Sequence, residues 1–255
     1  MKQPLLAPAL RRGDTVALIA PAGPLASDEE FARAESIVRM LGLVPRLGRF
    51  AKERDGYLAG SDAQRAADFN DAARDPQVRG IFALRGGYGT MRILDAIAYD
   101  ALAADSKVVL GYSDLTALLN AITQNTGLIT FHGPVAGLSG FSERETAWLS
   151  RAVMHPEPLG ELAWPESMML RSGSARGRLL GGNLSLVTAL LGTPYEIDLS
   201  GALLILEEVE ESPYRIDRML TQLRLSGGLS RAAGVLVGTC KNCEVDEQHP
   251  YAAMP

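Results

Sequence analysis

Ser113 stands in the stretch VVLGYSDLTALLNAI (108–122), where an apolar run meets a glycine and then a helical pattern. A serine at such a strand-to-helix corner has two uses. It can cap the helix, its oxygen accepting a backbone N–H, and Asp114 in the first turn then suits the helix dipole. Or it can be a nucleophile on a sharp elbow, its oxygen presented at the strand's carboxyl end beside N–H groups that stabilise an oxyanion. Gly111 fits the second use, because a tight turn favours a residue without a Cβ. The second glycine usual in a hydrolase elbow is missing, since the residue two past Ser113 is Leu115. The local pattern leaves both uses open.

A second glycine cluster, FALRGGYGT (82–90), also lies where a strand passes into a helix. Gly86, Gly87 and Gly89 can bring backbone N–H groups close to a carbonyl or carboxylate, with Tyr88 between them; a plain turn or a phosphate loop are the alternatives. The Gly-Lys-Ser/Thr of a Walker loop is absent. Two such corners on neighbouring parallel strands would open into one crevice. A nucleophilic serine needs a base, and the base an orienting acid. Of three histidines, His132 follows the strand LITF and is the naive choice for the base, against a structural hydrogen-bonding role; His155 and His249 lie in loops with no supporting pattern. For the acid, ILEEVEE puts Glu207 at a strand end, while Glu208, Glu210 and Glu211 read as a solvated run with Arg215 or Arg218 nearby. Cys240 and Cys243 form CKNC, half a zinc site or a redox pair. Glu244, Asp246 and His249 are close in sequence, but without a second CxxC the two cysteines read as incidental and no metal is expected.

The elements that must position these residues follow from periodicity. TVALIA (15–20) is a buried strand closed by PAGP; SDEEFARAESIVRMLG (27–42) is a helix with Ser27 as N-cap and Gly42 as stop. AQRAADFNDAARD (63–75) predicts a helix, VRGIFALRGG (78–87) a strand, GTMRILDAIAYDAL (89–102) a helix, KVVLGYS a strand, DLTALLNAITQNTG a helix and LITFHGP (128–134) a strand. Strands separated by helices of this length imply crossovers and a parallel sheet. The rhythm breaks near Gly140. Residues 1–140 are therefore an α/β domain carrying the elbow, 141–174 a linker, and 175–255 a smaller C-terminal α/β domain. The latter has GGNLSLVTALLG (a glycine turn, then a helix), the strand GALLILEE, a helix from Ser212 and Pro213 with Ile216, Met219, Leu220 and Leu223 as its apolar stripe, and the strand AAGVLVGTC. Ending on a strand and a polar tail, this domain is expected to continue.

Bulk composition narrows the class. The 255 residues are 47% hydrophobic and 22% charged, with a net charge of -5 and no basic run, which argues against nucleic acid as a partner. The N-terminus lacks the features of a signal peptide, and no apolar run approaches the roughly 20 residues a bilayer requires. Two cysteines are too few for a disulfide framework. The expectation is a soluble, cytoplasmic protein.

APAGP, RGGYGT, GYSDLTALL, FHGPV, GGNLSLVTALLGTPYE and LEEVEESPYRIDRMLTQL occur in this order between about Gly13 and Gly238. Together they resemble the LD-carboxypeptidases, or muramoyltetrapeptide carboxypeptidases, a peptidase family that includes the microcin C self-immunity proteins. The resemblance implies a Ser-Glu-His triad in which Ser113 is the nucleophile and Glu207 the acid. It further implies an oxyanion hole from the backbone of Asp114 and Gly87, substrate contacts at Gly86 and Tyr88, and an active site at the interface of two domains. It implies no cofactor, commonly a homodimer, and a murein tetrapeptide losing its terminal D-alanine as the substrate. The alternatives are an immunity-type hydrolase of peptidyl or acyl-sulfamoyl adenylates, with Trp164 as a stacking platform, and an inert peptide-binding module. The family's histidine sits in a Gly-His loop beyond the glutamate. No Gly-His pair occurs here, so the resemblance implies that this histidine follows residue 255.

Overall fold

The computed structural model describes residues 2–137, 142–161 and 168–243. Trp164, Glu244, Asp246 and His249 lie outside them. The chain divides into two compact units, Met1–Met168 and Met169–Pro255.

The first unit holds one parallel sheet of strands β1 (Thr15–Ile19), β2 (Val44–Leu47), β3 (Val78–Ala83), β4 (Val108–Gly111) and β5 (Phe131–His132), in the order β2-β1-β3-β4-β5. β1, β3 and β4 are buried at nearly every position, the pattern of parallel strands covered on both faces. The helices are α1 (Asp28–Met40), α2 (Asp62–Arg74), α3 (Tyr99–Ala104), α4 (Leu115–Thr126) and α5 (Glu143–Met154), with a 3-10 helix at Thr90–Ala96. α1 buries Phe31, Ala34, Ile37 and Val38, the stripe its spacing predicts, and Gly42 follows its end at φ 77°. Ser27 occupies the N-cap position of α1, but its side chain makes no capping bond there.

Several expectations are corrected. β2 has no counterpart in the sequence reading: its four residues, VPRL, contain a proline tolerated only at a sheet edge, and none is fully buried. The single helix expected over 89–102 is a 3-10 helix followed by α3. Ala98 N–H donates to Asn70 Oδ1, so a side chain takes a donor that a continuous helix would use internally, while the Asp114 carboxylate accepts the Thr90 N–H that any helix starting here would leave free. Of LITFHGP, only Phe131–His132 forms a strand. The stretch expected as a linker contains α5, started by a capping box of Ser142 and Glu145 and tied to the first unit by Leu10 N–H on Val153 O at 2.8 Å.

The second unit has a three-stranded parallel sheet, β6 (Leu179–Asn183), β7 (Leu203–Val209) and β8 (Gly234–Lys241), in the order β6-β7-β8, with helices α6 (Leu184–Ala189), α7 (Pro213–Leu225) and α8 (Gly228–Arg231). Gly181 and Gly182, expected in a turn, lie inside β6. A Cβ on Gly181 would come within 2.2 Å of Ile205 O, so close approach to the neighbouring strand is what demands glycine there. Pro213 opens α7 and Ile216 and Leu223 are buried, whereas Met219 and Leu220 are only half-buried. No helix among the described residues is long and apolar enough to cross a membrane.

Candidate active site

The carboxyl ends of β1, β3 and β4 carry three loops that pack against one another. β3 and β4 pair in register, Phe82 opposite Leu110, which sets the glycine turn after β3 beside the corner after β4. At that corner Ser113 has φ 62°, a left-handed conformation that costs a non-glycine residue roughly 1–2 kcal/mol. The capping role proposed for Ser113 does not hold. The N-cap position of α4 belongs to Asp114, and Ser113 contributes to the helix start only a backbone carbonyl, which accepts from Thr116 N–H at 2.9 Å. Its hydroxyl has no hydrogen-bond partner among the described residues, and the residue is half-buried. A strained backbone that spends no side-chain bond on the helix is the arrangement of a nucleophile elbow. Gly111 is required for a packing reason: a Cβ there would lie 2.6 Å from the Leu115 side chain.

Gly86 lies directly against the serine. A Cβ on Gly86 would stand 2.9 Å from Ser113 Cβ, 3.2 Å from Ser113 Oγ and 3.1 Å from Tyr112 O. Gly87 and Gly89 have φ of 112° and 125°, so the turn is built from residues that only glycine replaces without strain. Among the described residues, neither the Gly87 N–H nor the Asp114 N–H is taken up by a hydrogen bond. Amide donors left free near a serine are chemically able to hold a developing oxyanion.

Asp114 is buried. Its carboxylate accepts from Thr90 N–H at 2.8 Å and its carbonyl oxygen from Thr90 Oγ1 at 2.5 Å, which pins the far end of the glycine turn to the elbow. Burial pushes its carboxyl above the usual range, against the lowering by its bonds to Thr90 and the nearby Arg65 charge. Arg65, from α2, is fully buried beneath the same loops. Its Nη1 donates to Pro21 O at 2.6 Å and to Gly89 O at 2.9 Å, and its Nη2 pairs with the Asp62 carboxylate. Nothing in the sequence reading singled out Arg65, because a lone arginine in a helical pattern carries no signal of what it will bridge. Tyr88 is exposed and meets Tyr57 edge-on at 5.6 Å between ring centroids.

His132 ends β5, the strand next to β4. Its Nε2 lies 3.4 Å from Thr116 Oγ1 and its ring 5.1 Å from that of Tyr112. The residue as a whole is exposed, but the protein packed around its ring disfavours the charged form and lowers its pKa to about 4, which makes it a feeble base at neutral pH. His155 is an exposed residue at the end of α5.

In the second unit, Glu207 sits near the end of the central strand β7, opposite Asn183 of β6 and half-buried. A register irregularity in the pairing with β8 falls between Leu206 and Glu208. Glu208 is not part of a solvated run. It is buried on the opposite strand face, its carboxylate accepting from Asn183 Nδ2 (2.7 Å), Ser185 N–H (2.9 Å), Ser185 Oγ (2.7 Å) and Val209 N–H (3.0 Å). Glu210 is exposed, and Glu211 pairs with Arg215 at 3.3 Å, as the charge pattern suggested. Cys240 and Cys243 are free thiols.

Residues 16–133 match the LD-carboxypeptidase N-terminal domain and residues 176–254 the LD-carboxypeptidase C-terminal domain. The chain is 42% identical over 247 residues to a probable murein peptide carboxypeptidase of Bacillus subtilis, covering 92% of this chain and 75% of that protein. It is 33% identical to the murein tetrapeptide carboxypeptidase of Pseudomonas aeruginosa, covering 89% and 77%. Among solved structures, the microcin C7 self-immunity protein MccF in complex with aspartyl sulfamoyl adenosine matches with a TM-score of 0.83 at 27% identity, over 97% of this chain and 84% of that one.

Proposed function

The chain belongs to the LD-carboxypeptidase family, and on that premise we propose that it is a serine peptidase that removes the terminal D-alanine from a murein tetrapeptide, with Ser113 as nucleophile. The observation that carries this reading is the left-handed Ser113, its hydroxyl unspent, beside two unspent amide donors. In the reaction, Ser113 Oγ attacks the carbonyl carbon that joins the L-configured centre to D-alanine. The carbonyl oxygen becomes an oxyanion facing the N–H groups of Gly87 and Asp114. A histidine takes the serine proton and returns it to the leaving amine, and Glu207 orients that histidine and stabilises its charged form. The acyl-enzyme is then hydrolysed by water along the same route. The low basicity of His132 speaks against it as that histidine. Gly86 and Tyr88 line the approach to the serine. The family relationship supports a cytoplasmic homodimer that acts on peptides recycled from the cell wall.

The test is hydrolysis of synthetic murein tetrapeptide, followed as D-alanine release. Ser113→Ala is expected to lower the rate by about 10³-fold or more while tetrapeptide binding persists. Turnover retained by that variant refutes Ser113 as nucleophile. A folded wild-type protein that binds tetrapeptide without cleaving it establishes the inert-module reading instead. The likeness to MccF supports a second substrate class, acyl-sulfamoyl adenylates, and faster cleavage of aspartyl sulfamoyl adenosine than of tetrapeptide would select it.

A further inference from the structure

The Gly86–Gly87 peptide has a freedom that its proposed role cannot tolerate. In a trans peptide the C=O of one residue and the N–H of the next point in opposite directions. No peptide bond among the described residues is cis. Rotating this peptide by half a turn would replace the Gly87 N–H with the Gly86 oxygen and turn a donor into an acceptor. Glycine on both sides removes the steric barrier that would otherwise forbid the rotation. Something other than sterics must select the working orientation.

The loop after β1 supplies it. Gly23 N–H donates to Gly86 O at 3.0 Å, so the Gly86 oxygen points at that loop and the Gly87 N–H points away from it. The fit is backbone on backbone. A Cβ on Gly23 would lie 3.0 Å from Gly86 O, and one on Gly87 would lie 3.4 Å from Gly23 Cα. Two residues before Gly23, the Pro21 carbonyl accepts from Arg65 Nη1, and the same nitrogen holds Gly89 O at the other end of the glycine turn. One buried guanidinium therefore ties the latching loop to the turn it latches, with Asp62 holding its other arm.

We propose that the Gly23 N–H is a latch that keeps the Gly86–Gly87 peptide in its oxyanion-donating orientation, and that Arg65 is the positioning residue that holds the latch in place. The inference rests on the reading of Gly87 as an oxyanion donor and adds what fixes it. Neither Gly23 nor Arg65 touches the reacting atoms. Their effect falls on transition-state stabilisation and spares ground-state binding.

The experiment compares wild type, Arg65→Gln, Arg65→Lys and Gly23→Ala with murein tetrapeptide. Arg65→Gln and Gly23→Ala are expected to lower kcat by about 10²-fold, the usual cost of one oxyanion donor, with KM within about twofold. Arg65→Lys, able to reach one carbonyl, recovers part of the loss. Tetrapeptide affinity measured in a Ser113→Ala background should not change when Arg65→Gln is added. Crystal structures of Gly23→Ala and Arg65→Gln should show the Gly86 carbonyl turned or detached from residue 23. A folded Gly23→Ala protein with wild-type kcat, or with this peptide unmoved, overturns the latch. An equal loss of tetrapeptide affinity does so as well. If wild type cleaves no tetrapeptide, the functional reading falls, and the peptide orientation in the two variant structures still decides the latch.

Discussion

Ser113 combines a strained left-handed backbone with a hydroxyl that bonds none of the described residues. A residue that only capped α4 would have an extended backbone and would spend its oxygen on an N–H of the first turn. His132 shows the reverse case, a chemically capable side chain that its surroundings silence. Its pKa is lowered from 6.5 to about 4, so the folded state stays neutral where the unfolded chain binds a proton. Stability attributable to this group is therefore constant above about pH 6.5, falls as pH drops from 6.5 towards 4, and levels off below. His132→Gln should flatten that part of the profile. The check is the difference in Tm between variant and wild type from pH 7 to pH 4, because Asp114 and Asp68, both raised by burial, act with the opposite sign in both proteins. A variant that tracks wild type in parallel over this range contradicts the shifted pKa. The same substitution should leave tetrapeptide turnover within about threefold of wild type if another histidine is the base.

At the level of elements, polar side chains bridge strand ends within each unit, and these are the contacts sequence pattern conceals. Glu207 and Glu208 are neighbours in a row of acids, but the pleat of β7 sends them to opposite faces. Glu208 joins β7 to Asn183 at the end of β6 and to Ser185 at the start of α6 through three hydrogen bonds, and accepts a fourth from Val209 N–H of its own strand. All four partners are donors, so an amide in place of the carboxylate would set its NH₂ against N–H or O–H groups. Glu208→Gln is accordingly expected to destabilise the second unit by about 1.5–3 kcal/mol, in the range of hydrogen bonds to a charged group. Urea unfolding followed by a probe in residues 169–243 measures this. A change below about 0.5 kcal/mol would mean that the network contributes nothing beyond solvation. The split of the segment 89–102 into a 3-10 helix and α3 has the same origin, because Asn70 takes the Ala98 N–H at the break.

For the whole molecule, the division into two units falls at Met168 and Met169. Met168, Met169 and Leu170 are 80%, 73% and 81% exposed, and 171–177 are exposed throughout. Large apolar side chains on an irregular, exposed segment are good sites for limited proteolysis. Brief chymotrypsin or thermolysin treatment of native protein should cut first at 168–170 and leave a fragment of about residues 1–168 intact. First cleavage inside α1, β3 or α4 instead would contradict the division.

Local information in the sequence was enough for the parallel α/β class, for most helices, for the serine corner and the glycine cluster as neighbours at adjoining strand ends, and for Glu207 at a strand end. Each of these depends on residue type and spacing within a dozen positions, where side-chain period and turn chemistry act. Only the tertiary structure decided that Ser113 does not cap its helix, that His132 packs against Tyr112 and Thr116, that Glu208 is buried, and that Arg65 and Gly23 hydrogen-bond to the glycine turn. Those outcomes turn on partners tens of residues away. A hydrogen bond between Gly23 and Gly86, or an arginine spanning Pro21 and Gly89, exists only after the sheet has brought the ends of β1 and β3 side by side.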